Sequence, residues 1–142
     1  MNVIENISSL LRDLLEEYHF NVETLAKYLS ISVESVYYLA NGKTGMLSTD
    51  PQKGIRIVNK IMFLDTITSD EADMRVQAYL DTLLSYHKLS KETIAKMAGI
   101  QIADIDIFLS NKCEKMNAEI KYKIASVTMA LRFFLKDNEP KQ

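Results

Sequence analysis

Apolar residues near the start of the chain recur by threes and fours. Val3, Ile4, Ile7, Leu10, Leu11, Leu14, Leu15 and Tyr18 therefore share one face of a helix, with polar residues on the other. His19-Phe20 stops the run. Asn21 is a good N-cap for a short helix over 22–29, Ser32 for a second over 33–41, and Gly42 suits the end of the latter. Asp50-Pro51 reads as the cap and first residue of a longer helix, with Ile55, Val58, Ile61 and Met62 turned inward. The same order returns in the second half, where the pattern predicts helices over 70–87, 91–98, 102–110 and 117–136. Ser90 takes the place of Asn21 as cap, and Thr68-x-x-Glu71 has the form of a capping box. Every predicted element is a helix, so the expected fold class is all-α.

The second half also repeats residues. Shifting the chain by 69 places lays 23–43 on 92–112 without a gap, with six of the 21 positions identical. Leu25/Ile94, Val33/Ile102, Val36/Ile105 and Leu39/Phe108 add apolar exchanges, and upstream Leu11, Leu14 and Leu15 fall on Leu80, Leu83 and Leu84. A shared apolar frame at constant offset means one supersecondary unit built twice. The expected organisation is two tandem units of about four helices each, over 1–68 and 69–142. The boundary at Thr66–Asp73 is polar and too short for a free linker.

Composition narrows the class. Of 142 residues, 47% are hydrophobic and 25% charged, which is the range of ordinary globular chains, while four Gly and two Pro leave little turn-rich β chemistry. Cys113 is the only cysteine, so no intramolecular disulfide forms. No apolar run reaches the ~18 residues of a spanning helix, so no membrane association is expected. Met1-Asn2-Val3-Ile4-Glu5 lacks the basic start of a secretory signal, and a cytoplasmic location is the expectation. Net charge is −2 with a pI near 5.7. Over residues 1–50, Arg12, Lys27 and Lys43 face seven acids, so the first unit begins acidic.

Residues 22–43, from Val22 to Lys43, resemble the helix-turn-helix of lambda-repressor-like, or Cro-type, regulators. Ala26 is small enough for a close helix crossing, Ile31 plugs the turn, and Val36 and Leu39 seat the recognition helix on the core. Asn41-Gly42-Lys43 matches the family's habitual end to that helix. In the second unit Ala95, Gly99, Ile100, Ile105 and Phe108 stand at the corresponding places. The resemblance implies DNA as partner, with Lys27, Ser32, Val33, Glu34, Tyr37, Tyr38 and Lys43 as contact residues. The family's first motif position is typically a Gln on a DNA phosphate; here it is Val22, and Lys91 in the second unit. The base-facing residues of the first unit include no Arg, Asn or Gln, the side chains that pair bidentately with purines. In the second unit they become Gln101, Ile102, Ala103, Asp106 and Ile107, with Asp104 alongside. That copy is degenerate: its carboxylates repel phosphates and its isoleucines ask for an apolar cover. Ile102, Asp106 and Ile107 are therefore expected to form a protein interface.

Other chemistry is sparse. His19 and His87 have no further ligands at metal-binding spacing, Cys113 has no neighbouring His, and Glu16-Glu17 point in different directions on their helix. No phosphate loop or nucleophile elbow is present. No catalytic residue, metal or cofactor is expected, and the chain is not read as an enzyme. Lys53, Arg56 and Lys60 fall at i, i+3 and i+7 and form one basic stripe, whose plain reading is a solvated outer face. Two functions follow. The first is a transcriptional regulator that binds DNA weakly or as a dimer. The second is a protein-interaction module on a helix-turn-helix scaffold that has lost DNA reading, with a homodimer or protein partner held through the second unit.

Overall fold

Residues 3–138 are described by a computed structural model, and every regular element among them is helical. Met1, Asn2, residues 139–142 and the side chains of Val3, Ile4 and Glu5 lie outside the described residues, so the inward assignment of Val3 and Ile4 lies outside them too. The chain divides into two compact units, Met1–Ser69 and Asp70–Gln142. None of the described helices is long and apolar enough to cross a membrane.

The first unit contains α1 (Val3–Glu16), α2 (Val22–Leu29), α3 (Val33–Ala40), α4 (Gly45–Thr49) and α5 (Pro51–Ser69). The caps act where the sequence puts them. Asn21 Oδ1 accepts from the Thr24 amide at 2.8 Å, Ser32 Oγ from the Ser35 amide at 3.1 Å, and Asp50 Oδ1 from the Lys53 amide at 3.3 Å. Each satisfies an amide that the first turn of a helix leaves without a carbonyl partner. Gly42 follows α3 with a φ of 85°, a value that glycine adopts without a Cβ clash. The core collects Ile7, Leu11 and Leu14 from α1, Leu25, Ala26 and Leu29 from α2, Val36 and Leu39 from α3, Leu47 from α4, and Ile57 and Ile61 from α5. Full burial of one such Leu or Ile contributes about 1.5–3 kcal/mol relative to exposure.

The inward face of α5 differs from the expected one. Ile61 is buried and Val58 half-buried, but Ile55 and Met62 are exposed, and Gly54 and Ile57 take the inward places. The rotation has a local cause. A Cβ on Gly54 would run into the Leu47 carbonyl oxygen, so this glycine lets α5 press against α4 and fixes which stripe turns inward. The short α4 is itself an addition to the expected elements: five residues give too little periodicity to read. Thr68 lies inside α5, where its hydroxyl donates to the Asp65 carbonyl at 3.0 Å, and Glu71 caps α6 without a side-chain bond; the expected capping box is absent. Tyr18 also falls beyond the end of α1.

The second unit contains α6 (Ala72–Ser85), α7 (Lys91–Ala98), α8 (Ile102–Phe108) and α9 (Ala118–Leu135), with single 3-10 turns at Cys113–Lys115 and Lys136–Asn138. Ser90 Oγ accepts from the Thr93 amide at 3.0 Å and caps α7. Leu80, Leu83, Ile94, Ala95, Ile105, Phe108, Cys113 and Ile124 form its core. Six buried positions, Leu11, Leu14, Leu25, Ala26, Val36 and Leu39, are followed 69 residues on by buried Leu80, Leu83, Ile94, Ala95, Ile105 and Phe108. His19 and Lys88, and Ser30 and Gly99, are likewise 69 apart and all have positive φ. The last helices shift register. Ile57 and Ile61 have their buried counterparts 67 residues on, at Ile124 and Thr128, because the stretch leading into α9 is shorter than that leading into α5.

Candidate nucleic-acid interface

In the first unit α2, a turn and α3 form the helix-turn-helix. The turn is made at Ser30, whose φ of 59° bends the chain back while its amide donates to the Ala26 and Lys27 carbonyls. Ile31 packs against the core behind it. Two anchors fix α3. Val36 and Leu39 are fully buried, and from α1 the Arg12 guanidinium donates to the Ala40 carbonyl at 2.8 Å, placing a cation at the negative end of the helix. With that face held, Glu34, Tyr37 and Tyr38 turn to solvent.

Tyr37 and Tyr38 are 47% and 50% exposed, large values for aromatic side chains on a short helix. Lys43 Nζ lies 5.2 Å from the Tyr38 ring centroid, a cation held over an aromatic face beside the helix end. Ser32 is exposed and occupied as the cap of α3. Val33 is half-buried and packs on the core, which leaves only part of its side chain for a ligand. Lys27 is exposed on α2 and lines an open groove of about 670 Å³ with Ser30, Ile31, Ser32, Val33 and Lys53. The expected residues thus fall into two groups, Lys27 with Ser32 and Val33, and Tyr38 with Lys43, while Glu34 and Tyr37 stand on the exposed face of α3. Arg12 and Ser30 were outside the expected set. Arg12 has no local signal, because it acts through a contact 28 residues away; Ser30 acts through its backbone angle, and its signal is the glycine, Gly99, at the corresponding place in the second unit.

The basic stripe on α5 is not a uniform solvated face. Lys60 is half-buried; its ammonium donates to the Tyr28 carbonyl at 2.7 Å, and the Tyr28 hydroxyl donates back to the Lys60 carbonyl at 3.0 Å. This reciprocal pair ties α5 to α2. Lys53 and Arg56 remain exposed at the rim of a smaller cleft of about 230 Å³.

The second unit treats the corresponding helix differently. Ile105 and Phe108 bury the inner face of α8, and Gln77 of α6 donates to the Phe108 carbonyl at 2.7 Å. Ile102 and Ile107 are 45% and 42% exposed on the outside. Between them, Asp106 accepts from Lys91 Nζ at 2.6 Å. The Lys91 charge is here answered by α8 itself. Asp104 Oδ2 accepts from the Gln101 amide at 3.0 Å at the start of α8. Ile107 also enters an open groove of about 460 Å³ with Met116 and Ile120 on its apolar side and Lys112 and Lys115 at its edge.

Titration adds one structural cation. The Asp73 carboxylate, 2.7 Å from Lys121 Nζ, raises the Lys121 pKa above its ordinary 10.5, so the ammonium that links α9 to α6 stays charged through neutral pH. Cys113 is buried, with Gln77 Nε2 3.4 Å from its sulfur. Among the described residues, no group of three or more His, Cys, Asp or Glu side chains is placed to hold a metal ion.

No curated protein and no solved structure matches the chain. A family profile described as a helix-turn-helix domain matches residues 3–141, a single span that takes in both units and both turns described above. By that span, the chain belongs to the helix-turn-helix domain family.

Proposed function

We propose that the chain is a cytoplasmic DNA-binding regulator built from two tandem lambda-repressor-like motifs, with the contact made by the first and the second degenerate. The observation that carries this reading is the outward face of α3. It presents Tyr37 and Tyr38 to solvent, sets Lys43 beside Tyr38, and is held rigidly by Arg12 and by the buried Val36 and Leu39. Tyrosine hydroxyls and a lysine reach phosphate oxygens, and the rings reach sugars and thymine methyl groups. The same face has no side chain that pairs bidentately with a purine edge, so a single unit discriminates sequence weakly. A dimer, which doubles the contact over two half-sites, fits that weakness. The reading invokes no catalytic step, metal or cofactor.

The test is Tyr38→Ala combined with Lys43→Glu, followed by fluorescence anisotropy on a labelled duplex at fixed low salt. We expect affinity to fall roughly tenfold or more, equivalent to about 1.4 kcal/mol or above. Affinity equal to that of the wild-type chain would remove α3 from the contact.

A second reading, protein binding through the second unit, is supported by the exposure of Ile102 and Ile107 around the Lys91–Asp106 pair. An apolar outer face on which Lys91 is already paired with Asp106 suits a protein cover better than a polyanion.

A further inference from the structure

Residues 1–69 contain six cationic side chains and eight acidic ones, so a basic surface in this unit requires the cations to gather. Four of them do. Lys27, Lys53, Arg56 and Lys60 line two adjoining depressions, the cleft of about 230 Å³ and the open groove, which share Ser30 and Lys53. Two acids, Glu23 and Asp50, line the same surface, and Asp50 is occupied by the amide of Lys53 at the start of α5. Lys60 is held against the Tyr28 carbonyl, while Lys53 and Arg56 are exposed and no carboxylate pairs with either among the described residues. The depressions are continuous with Ser32 and Val33 at the start of the recognition helix.

Ser30 adds a second observation. It holds a left-handed φ of 59° at the turn, where Gly99, the residue 69 places on, takes 70°. Glycine adopts that angle without steric cost and serine does not, so the first unit keeps a side chain at a strained position on the wall of the basic cleft. Its hydroxyl can donate to an anion there, beside a guanidinium and an ammonium.

We propose that Ser30, Lys53 and Arg56 form a phosphate seat outside the recognition helix, and that the phosphate it takes belongs to the nucleic-acid backbone flanking the bases under α3. The guanidinium supplies a planar fork for two phosphate oxygens, the ammonium a compact charge, and the serine a short neutral donor. The source of the phosphate rests on the DNA reading above; the seat itself does not.

The test uses the full chain with Lys53→Ala plus Arg56→Ala, and separately Ser30→Gly, each checked for an unchanged helical CD spectrum. Binding of a random-sequence duplex is measured across a salt series. Each neutralised phosphate contributes about 0.9 to the slope of log affinity against log salt, so the double variant, which empties one seat, is expected to lose about 1 from the magnitude of that slope. Its relative preference among duplex sequences is expected to stay as in the wild-type chain. A slope equal to the wild-type value, with Tyr38→Ala/Lys43→Glu still weakening binding, would overturn the seat and leave the DNA reading standing. A wild-type chain that binds no duplex would overturn the DNA reading, and inorganic pyrophosphate then decides the seat. Amide NMR shifts at Ser30, Lys53 and Arg56 on pyrophosphate addition, lost in the double variant, would assign the seat to a free phosphorylated ligand, and their absence would remove it.

Discussion

Ser30 shows how much a single backbone angle carries. A serine in the left-handed region costs on the order of 1 kcal/mol that glycine avoids. Ser30→Gly is therefore expected to raise stability by about 0.5–1 kcal/mol in urea unfolding, while weakening phosphate binding at the cleft; a midpoint that stays put or falls would show that the turn is not strained. Lys60 and Lys91 make a related point. In the sequence Lys60 reads as part of a solvated stripe and Lys91 as a candidate phosphate contact, yet one is bound to the Tyr28 carbonyl and the other to Asp106. Neither partner lies within a helical turn of its lysine, so no local pattern announces the pairing. The exposed Lys91–Asp106 pair contributes little to stability, about 0–1 kcal/mol, and its consequence is the removal of a phosphate-seeking charge.

At the level of elements, the α4–α5 corner decides the register of a whole helix. Gly54 sits where a side chain would collide with the Leu47 carbonyl, and the stripe of Gly54, Ile57 and Ile61 turns inward because of it. Gly54→Ala would improve helix propensity in isolation. Here the added methyl must force α4 away from α5, and we expect a net loss of about 1–3 kcal/mol, read from urea unfolding of the full chain. Equal or greater stability would show that the corner yields freely. The first helix of each unit has a comparable reach, since Arg12 and Gln77 both cross to the C-terminal end of a recognition helix and donate to its last carbonyls. Substituting either loosens the helix that presents the outer face, without touching that face.

On the scale of the molecule, the two units differ in their balance of charge and apolar surface. Residues 1–69 gather four of their six cations around one turn, whereas in the second unit Lys91 is answered by Asp106 of α8, with Ile102 and Ile107 exposed on either side. Ile102→Lys combined with Ile107→Lys is expected to dissociate an oligomer or release a protein partner, measured by light scattering at matched concentration. The helical CD spectrum should be retained, because the buried partners Ile105 and Phe108 are untouched. Outright unfolding would place the pair in the core, and an unchanged assembly would show that this surface is idle.

Much of the architecture is local and was legible along the chain. Helical spacing, the caps at Asn21, Ser32 and Ser90, the glycine after α3 and the small Ala26 and Ala95 all act within a few residues or through size alone, so sequence by itself determined the helices other than α4, their order and most of the core. The tertiary structure alone decided which stripe of α5 faces inward, which lysines remain free, and where Ser30, Lys53 and Arg56 meet. Those outcomes depend on contacts between groups on different elements: the Leu47 carbonyl under Gly54, the Tyr28 carbonyl on Lys60, Asp106 on Lys91. Periodicity cannot register such contacts, because it records only how neighbouring side chains divide between the two sides of one helix.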